Sequence, residues 1–319
     1  MHASSDQPCE SHFPVCAGVA FRGSGAAGMR SSTRREVLTM LALAGVSSPQ
    51  WAGEAHTLLP VDTPGLDHLD IAVPDVEKST RFYMGLLRTT LHAQPFRGGT
   101  RYFVLLGPLP ESRAVGYVAV GDAHGRETGI DHFCTSVADW RRDSAAVFAE
   151  MKEKFRDSGF GDFPGGGGFG GTFNDPDGIE VQFLPSPDTL VTVAAPSDLV
   201  PGEQGLVTPQ RVEYVQLKVS DLDRALAYYR ILYGREGSRT KTMATFTFRN
   251  GSRLLLEQSS YVYGSARSRI ARFGIRVKPF DKASVTAAIV ALGGTVSSGD
   301  GAILRLRDVD GIELDLVPG

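Results

Sequence analysis

Hydrophobic residues follow the same order of spacings four times between residues 66 and 317 of this 319-residue chain. Each time, an alternating stretch typical of a strand is followed by apolar residues at helical spacing and then by further strand-like stretches. In residues 76–87, for example, Val76, Phe82 and Leu86 fall on one side of a helix. The pattern therefore predicts an α+β fold built from four β-α-β-β-β units.

The predicted elements have approximate bounds in each unit. The first unit has a strand at 66–73, a helix at 76–87 and strands at 101–106 and 115–120; the second has a strand at 130–137, a helix at 145–155 and a strand at 179–184. The third has a strand at 212–219, a helix at 222–233 and strands at 244–248 and 253–257; the fourth has a strand at 273–277, a helix at 284–292 and strands at 303–307 and 312–317.

An internal repeat groups these units in pairs. The hexapeptide at residues 175–180 recurs at residues 308–313 with five of six positions identical. A repeat of this kind indicates duplicated structural units. We therefore predict two homologous domains, at 64–185 and 210–319. The proline-containing segment 186–209 between them is predicted to be a linker, because proline interrupts helices and central strands.

The amino-acid composition indicates which kinds of binding partner to expect. The formal net charge is -3, with 42% hydrophobic and 22% charged residues, so neither a disordered chain nor a broad basic surface for nucleic acid is expected. A small-molecule substrate is the favoured partner, and the oligomeric state stays open. Cys134 is the single cysteine of the two predicted domains, which therefore contain no disulfide.

Residues 1–56 have the pattern of a leader. Arg34 and Arg35 precede the apolar run 38–46, which is too short to span a bilayer, and small residues such as Ala52 and Ala55 follow. This order resembles a twin-arginine export signal. The resemblance implies a periplasmic or secreted protein that is not in the membrane once the signal is removed. The alternative is a chance arginine pair before a buried helix.

Two histidines and a glutamate occupy equivalent positions in the first domain. His68 and His132 lie in the first strands of their units, and Glu180 lies in the last strand of the second unit. The units and these positions resemble the vicinal oxygen chelate superfamily, which includes glyoxalase I, fosfomycin-modifying enzymes and extradiol dioxygenases. The resemblance implies a cupped mixed sheet in each domain and one divalent metal bound by these three residues. Alternatively, each of the three is an ordinary polar strand residue.

The donor set indicates which metal is expected. Two imidazoles and one carboxylate with open positions are the arrangement of Fe(II) oxygenases, so we expect Fe(II), with Mn(II), Zn(II) or Ni(II) as alternatives. Strand alternation and nearby acid-base groups then give candidate residues around the metal. The candidates for the pocket are Asp70, Tyr102, Cys134, Ser136 and Gln182, and those for catalysis are Tyr117 and His124.

The second domain has different residues at the matching positions. Tyr214 replaces His68, Arg272 replaces His132, and Glu313 corresponds to Glu180. Because no histidine follows His132, the second domain cannot contain the same triad. We predict that it is degenerate, with an ion pair between Arg272 and Glu313 in place of the metal.

The predicted strand at 115–120 contains no carboxylate, whereas glyoxalase-type sites usually take a further acidic ligand from this strand. A three-ligand site in a four-unit chain resembles the extradiol dioxygenases, which implies oxidation of a small vicinal diol. One departure is that the metal would lie in the N-terminal domain instead of the C-terminal one. The alternatives are a glyoxalase-like lyase or isomerase, a fosfomycin-type transferase, and a non-catalytic ligand-binding protein.

Overall fold

The computed structural model describes residues 57–96, 98–107, 116–160, 171–186, 193–200, 205–260, 269–297 and 301–319. The predicted leader at 1–56 and its export motif lie outside the described residues. So do residues 187–192 and 201–204 of the predicted linker.

The first half forms one mixed sheet of eight strands, in the order β6-β7-β5-β1-β4-β3-β2-β8. Its elements are β1 (Gly65–Val73), α1 (Val76–Leu86), β2 (Leu91–Phe96), β3 (Gly99–Leu105), β4 (Tyr117–Asp122), β5 (Gly129–Ala138), α2 (Trp140–Asp157), β6 (Thr172–Asn174), β7 (Glu180–Ser186) and β8 (Val193–Ala194). The first strands of the two units, β1 and β5, are antiparallel neighbours at the centre. Each is flanked by the last strand of its own unit in parallel.

The second half repeats this arrangement in the order β10-β11-β12-β9-β13-β16-β15-β14. Its elements are β9 (Thr208–Val219), α3 (Leu222–Tyr233), β10 (Ser238–Arg239), β11 (Met243–Thr247), β12 (Arg253–Gln258), β13 (Ile270–Lys278), α4 (Lys282–Ala291), β14 (Thr295–Ser297), β15 (Leu304–Arg307) and β16 (Glu313–Pro318). The predicted α+β fold with two duplicated halves is thus confirmed. A single turn of 3₁₀ helix at Ser197–Leu199 lies between the halves.

Aspartate residues fix where three of the helices begin. The side chains of Asp75, Asp221 and Asp281 accept hydrogen bonds from backbone N–H groups in the first turns of α1, α3 and α4. Such caps satisfy donors that the helix itself leaves without partners.

One hydrophobic core includes residues of both halves. Helix α1 packs against α4, and α2 packs against α3. The rings of Phe155 and Tyr228 are stacked across the second contact, with centroids 4.4 Å apart. Among the described residues, no helix is long and apolar enough to cross a membrane.

The repeated hexapeptide joins the halves at two equivalent places. Tyr229 donates a hydrogen bond to Asp175 Oδ2 (2.9 Å), and Tyr83 donates one to Asp308 Oδ2 (2.8 Å). The other carboxylate oxygen, Oδ1, accepts backbone N–H groups of the same turn in both copies. The first aspartate of each copy therefore fixes a turn in its own half and binds a tyrosine of the other half.

Candidate metal site on the first sheet

His68, His132 and Glu180 lie on three neighbouring strands of the first sheet. In the register of β5 and β7, His132 is paired with Glu180, and across β1 and β5 it is opposite Asp70. The rings of His68 and His132 meet edge to face with centroids 5.6 Å apart. The three side chains predicted to bind the metal are thus brought to one region of the sheet.

A β-bulge changes which residues share this face. Leu66 pairs with Thr135 and Leu69 pairs with Phe133, so two residues of β1, Asp67 and His68, lie opposite one residue of β5. A bulge of this kind interrupts the alternation of side chains along the strand. Asp67 consequently lies beside His68, with Oδ1 2.8 Å from His68 Nδ1.

The residue opposite the bulge is Cys134, which is fully buried. Ligand atoms of Asp67, His68 and Cys134 all lie within 4.8 Å of one another, and among the described residues this is the group of three that meets that condition. His132 and Glu180 are outside this group, so a metal bound by the predicted triad requires these side chains to move closer to His68.

The electrostatic environment differs between the two imidazoles. Burial lowers the pKa of His68, and the adjacent Asp67 carboxylate opposes this effect without overcoming it. Burial also lowers the pKa of His132, but the carboxylates around it, Asp131 first, outweigh burial and leave the pKa raised. Burial raises the pKa of Glu180. Neutral His68 can donate a ring-nitrogen lone pair to a metal, as metal-bound histidines do.

His132 carries a polar atom that lacks a partner. Its Nδ1 atom is buried and makes no hydrogen bond within the described part of the chain, and the closest carboxylate oxygen, on Asp131, is 3.8 Å away. A buried polar atom without a partner is costly unless a ligand satisfies it. This orphaned nitrogen and the two-imidazole, one-carboxylate donor set fit a divalent metal.

Tyr117 lies directly beside His68. The two rings are stacked with centroids 4.2 Å apart, and the Tyr117 hydroxyl is 3.5 Å from His68 Nε2. Tyr117 also belongs to a small apolar cluster with Phe103, Leu105 and Ala119, separate from the main core. Strands β3 and β4 therefore give the site an apolar wall.

A charged pair borders the site next to this wall. The Arg101 guanidinium is 3.1 Å from Asp70 Oδ2 and lies over the ring of Phe96, 3.8 Å from its centroid. Asp70 thus faces the site, where the sequence places it. Cys134 lies there too and is paired in register with Gln182 of β7.

Two candidates lie elsewhere. Tyr102 belongs to the main core on the opposite side of the sheet, so its predicted role in the pocket is wrong. Alternation along β3 explains this, since Phe103 is the residue that faces the site. His124 lies in the turn after β4 with φ 51°, and its half-exposed imidazole is 3.8 Å from Asp122. Tyr117 begins β4 and His124 follows its last residue, Asp122, by two positions, so the two catalytic candidates lie at opposite ends of that strand.

The second half has the predicted replacements but not the predicted ion pair. Arg272 Nε donates a hydrogen bond to Gln216 Oε1 (2.6 Å), and Glu313 binds Arg307 (2.6 Å). The proposed pair between Arg272 and Glu313 is therefore wrong. Each residue binds a side chain directly across an antiparallel strand pair instead, because Arg272 is opposite Gln216 and Glu313 is opposite Arg307.

Sequence reasoning missed Asp67 and Arg101. Strict alternation puts Asp67 on the opposite face from His68, and no local signal marks the bulge that overrides it. Arg101 could be found from the sequence, because it lies in a predicted strand and alternation places it on the same face as Phe103.

Residues 65–183 match the family model described as the Glyoxalase/Bleomycin resistance protein/Dioxygenase superfamily. The match falls within the first half of the chain, the region whose sequence resembles this superfamily. No match is found among curated proteins.

Solved structures share the fold of both halves. The 2,3-dioxygenase LapB from Pseudomonas sp. KL28 is similar with a TM-score of 0.58 and 11% identity, over 82% of this chain and 93% of that one. The Mn(II)-bound glyoxalase from Novosphingobium aromaticivorans has a TM-score of 0.56 and 11% identity, over 81% and 83%. Homoprotocatechuate 2,3-dioxygenase from Arthrobacter globiformis has a TM-score of 0.53 and 16% identity, over 81% of each chain. At these identities, the similarity shows the fold alone.

Proposed function

We propose that this protein is a metal-dependent dioxygenase of the extradiol type, acting on a small vicinal diol at the first sheet. The metal is held by His68, His132 and Glu180 and is Fe(II). The observation that carries the proposal is the meeting of two buried imidazoles, with ring centroids 5.6 Å apart, beside a strand that presents Glu180 in register with His132.

The surrounding residues suit this chemistry. A divalent metal at the site supplies a positive charge that favours deprotonation of a bound diol. Asp67 holds His68 Nδ1 and so directs Nε2 towards the site, as outer carboxylates commonly do for metal-bound histidines. Phe103, Leu105 and Ala119 offer an apolar surface for a ring.

Tyr117 is the acid-base candidate that the geometry favours. Its hydroxyl lies next to His68 Nε2, within reach of a proton on a substrate oxygen bound at the site. Replacing Tyr117 with Phe keeps the ring stacked on His68 and removes only the hydroxyl. This variant is expected to retain metal and lower turnover by about 10²–10⁴-fold, the usual contribution of a general acid or base.

The test of metal binding is elemental analysis of protein purified without oxygen. His68→Ala and Glu180→Ala should lose the bound metal, whereas Glu313→Ala, the matched position in the second half, should retain it. Equal metal content in all three variants and the parent would contradict the site. Circular dichroism of each variant establishes that the fold is intact.

The test of activity is oxygen uptake with catechols in the iron-loaded protein. Consumption of oxygen that disappears in His68→Ala supports the dioxygenase. Turnover of an epoxide, a thiol adduct or a keto-acid without oxygen uptake would instead identify the lyase, isomerase or transferase alternative. Binding of diols without turnover would identify a ligand-binding protein.

The export proposal rests on Arg34 and Arg35 ahead of the apolar run 38–46. Export by the twin-arginine route places the enzyme in the periplasm or outside the cell. Replacing both arginines with lysine should leave the full-length chain in the cytoplasm, as fractionation of the host cells can show. Unchanged export of that variant would contradict the assignment.

A further inference from the structure

The bulge in β1 creates a second set of potential ligands that shares His68 with the proposed metal triad. Its members are the carboxylate of Asp67, one ring nitrogen of His68 and the thiol of Cys134. They differ from the triad in two of three residues, and they include the single thiol of the two domains. A set with sulfur has different metal preferences from a set of imidazoles and carboxylates.

We propose that Asp67, His68 and Cys134 form a binding site for a thiophilic divalent ion such as Zn(II), and that occupation of this site excludes the metal of the proposed triad. The two ions compete because a neutral imidazole offers one lone pair: for the triad, Asp67 accepts the Nδ1 proton and Nε2 binds the metal, whereas an ion beside Asp67 takes Nδ1 and leaves the proton on Nε2. The ligand set itself is independent of the dioxygenase activity, whereas the competition rests on the triad of the proposed function.

The distances are compatible with one shared ion. Asp67 Oδ1 and His68 Nδ1 are 2.8 Å apart, and all three ligand atoms lie within 4.8 Å of one another. Ligand bonds to Zn(II) are about 2.0–2.2 Å for oxygen and nitrogen and about 2.3 Å for sulfur, so only small side-chain movements are needed. Ser136 Oγ, 3.2 Å from Asp67 Oδ2, lies at the edge of the same group.

The position of Cys134 also favours a ligand role over surface chemistry. Its side chain is fully buried and faces the bulge across β5, next to two groups that bind metals. A buried thiol in this position is protected from solvent oxidants. A bound ion would displace the thiol proton and hold the sulfur as thiolate.

Cobalt provides the test, because Co(II) bound by a thiolate has an intense near-ultraviolet charge-transfer band. The full chain is used with Cys9→Ser and Cys16→Ser, so that Cys134 is the one remaining thiol. Titration with Co(II) should produce the band. Cys134→Ser should abolish it and weaken Co(II) binding at this site at least as much as the roughly 10–100-fold caused by losing an outer-shell partner.

Matched variants separate this site from the triad. Glu180→Gln and His132→Gln remove triad ligands and should leave the band unchanged, whereas Asp67→Asn should weaken it. Zn(II) added to the iron-loaded parent should release iron, and this release should be lost in Cys134→Ser. A cobalt spectrum without the thiolate band in the parent, or a band that survives Cys134→Ser, would overturn the proposal.

Discussion

Asp175 provides a direct test of how the two halves are joined. Its carboxyl group is buried, accepts the N–H groups of Asp177 and Ile179 through Oδ1, and accepts the Tyr229 hydroxyl through Oδ2. Burial raises the pKa of Asp175 from 3.8 to about 6, although these hydrogen bonds oppose the change. At about 1.4 kcal/mol per pKa unit, this corresponds to about 3 kcal/mol of stability linked to one proton.

The sign follows from the direction of the change. The folded protein binds this proton more tightly than the unfolded chain, so the stabilising contribution is fully present below about pH 4. It is lost as the pH rises to about 6, where the buried carboxyl group ionises. The Asp175→Asn variant keeps an oxygen for the backbone N–H groups and an amide that can bind the Tyr229 oxygen, but it cannot ionise.

The assay is urea unfolding of the parent and Asp175→Asn at a series of pH values from 4 to 7.5. Between pH 4 and pH 7, the free energy of unfolding of the parent should fall relative to the variant by about 2.4 kcal/mol, most of the full 3. The control is Asp157→Asn, which removes an exposed carboxylate beside Arg156 and should change stability little at any pH. Parallel curves for the parent and Asp175→Asn over this range would refute the reasoning.

Three further predictions concern other contacts. Tyr83→Phe leaves a buried oxygen of Asp308 without its hydroxyl donor and should lower the free energy of unfolding by about 1–3 kcal/mol; an unchanged urea midpoint would contradict this. Gly274→Ala places a methyl group 2.5 Å from the ring of Tyr214 and should lower the free energy of unfolding by about 1–3 kcal/mol in the same assay. The control, Gly99→Ala, has its nearest atom 3.8 Å away and should lower it much less. Removal of bound metal with a chelator should leave the hydrogen exchange of backbone amides in β9 and β13 unchanged, because no metal is expected in the second half. A second bound metal equivalent that depends on Glu313 would contradict this.

Much of the fold could be predicted because each element carries a local pattern. The helix predicted at 222–233 coincides with α3 (Leu222–Tyr233), whose start is fixed by the Asp221 cap. Strand β2 (Leu91–Phe96) is absent from the predicted elements, and it contains Pro95, a residue that disfavours strands. The strand forms nonetheless: it pairs with β3 from Leu91 to Phe96, and in the described part of the chain β8 pairs with His92 and Ala93.

The site was predictable in outline but not in detail. His68, His132 and Glu180 lie on neighbouring strands, which follows from the order of the units, and their binding of a metal stays a prediction. The potential ligand atoms that lie within 4.8 Å of one another instead belong to Asp67, His68 and Cys134, because a bulge brings two successive residues of β1 to one face. The prediction of an ion pair between Arg272 and Glu313 is wrong for a similar reason. The sequence does not show that Gln216 and Arg307, on the neighbouring antiparallel strands, bind these two side chains instead.

The second sheet contains the same bulge, and this bears on what the bulge is for. Val215 pairs with Phe273 and Val212 with Ile275, so Glu213 and Tyr214 lie opposite Gly274, as Asp67 and His68 lie opposite Cys134. In the second sheet, however, protein side chains fill the position that corresponds to the proposed metal site.

Tyr214 donates a hydrogen bond to Asp315, and its ring occupies the space that a side chain at residue 274 would need. Glu213 is surrounded by the guanidinium groups of Arg211, Arg253 and Arg276, which outweigh the effect of burial and lower its pKa. Because the bulge persists where no histidine is present, it is a property of the duplicated sheet and not a consequence of metal binding. The capacity to bind a metal therefore depends on a few side chains placed on a common backbone, and exchanging those side chains is sufficient to test it.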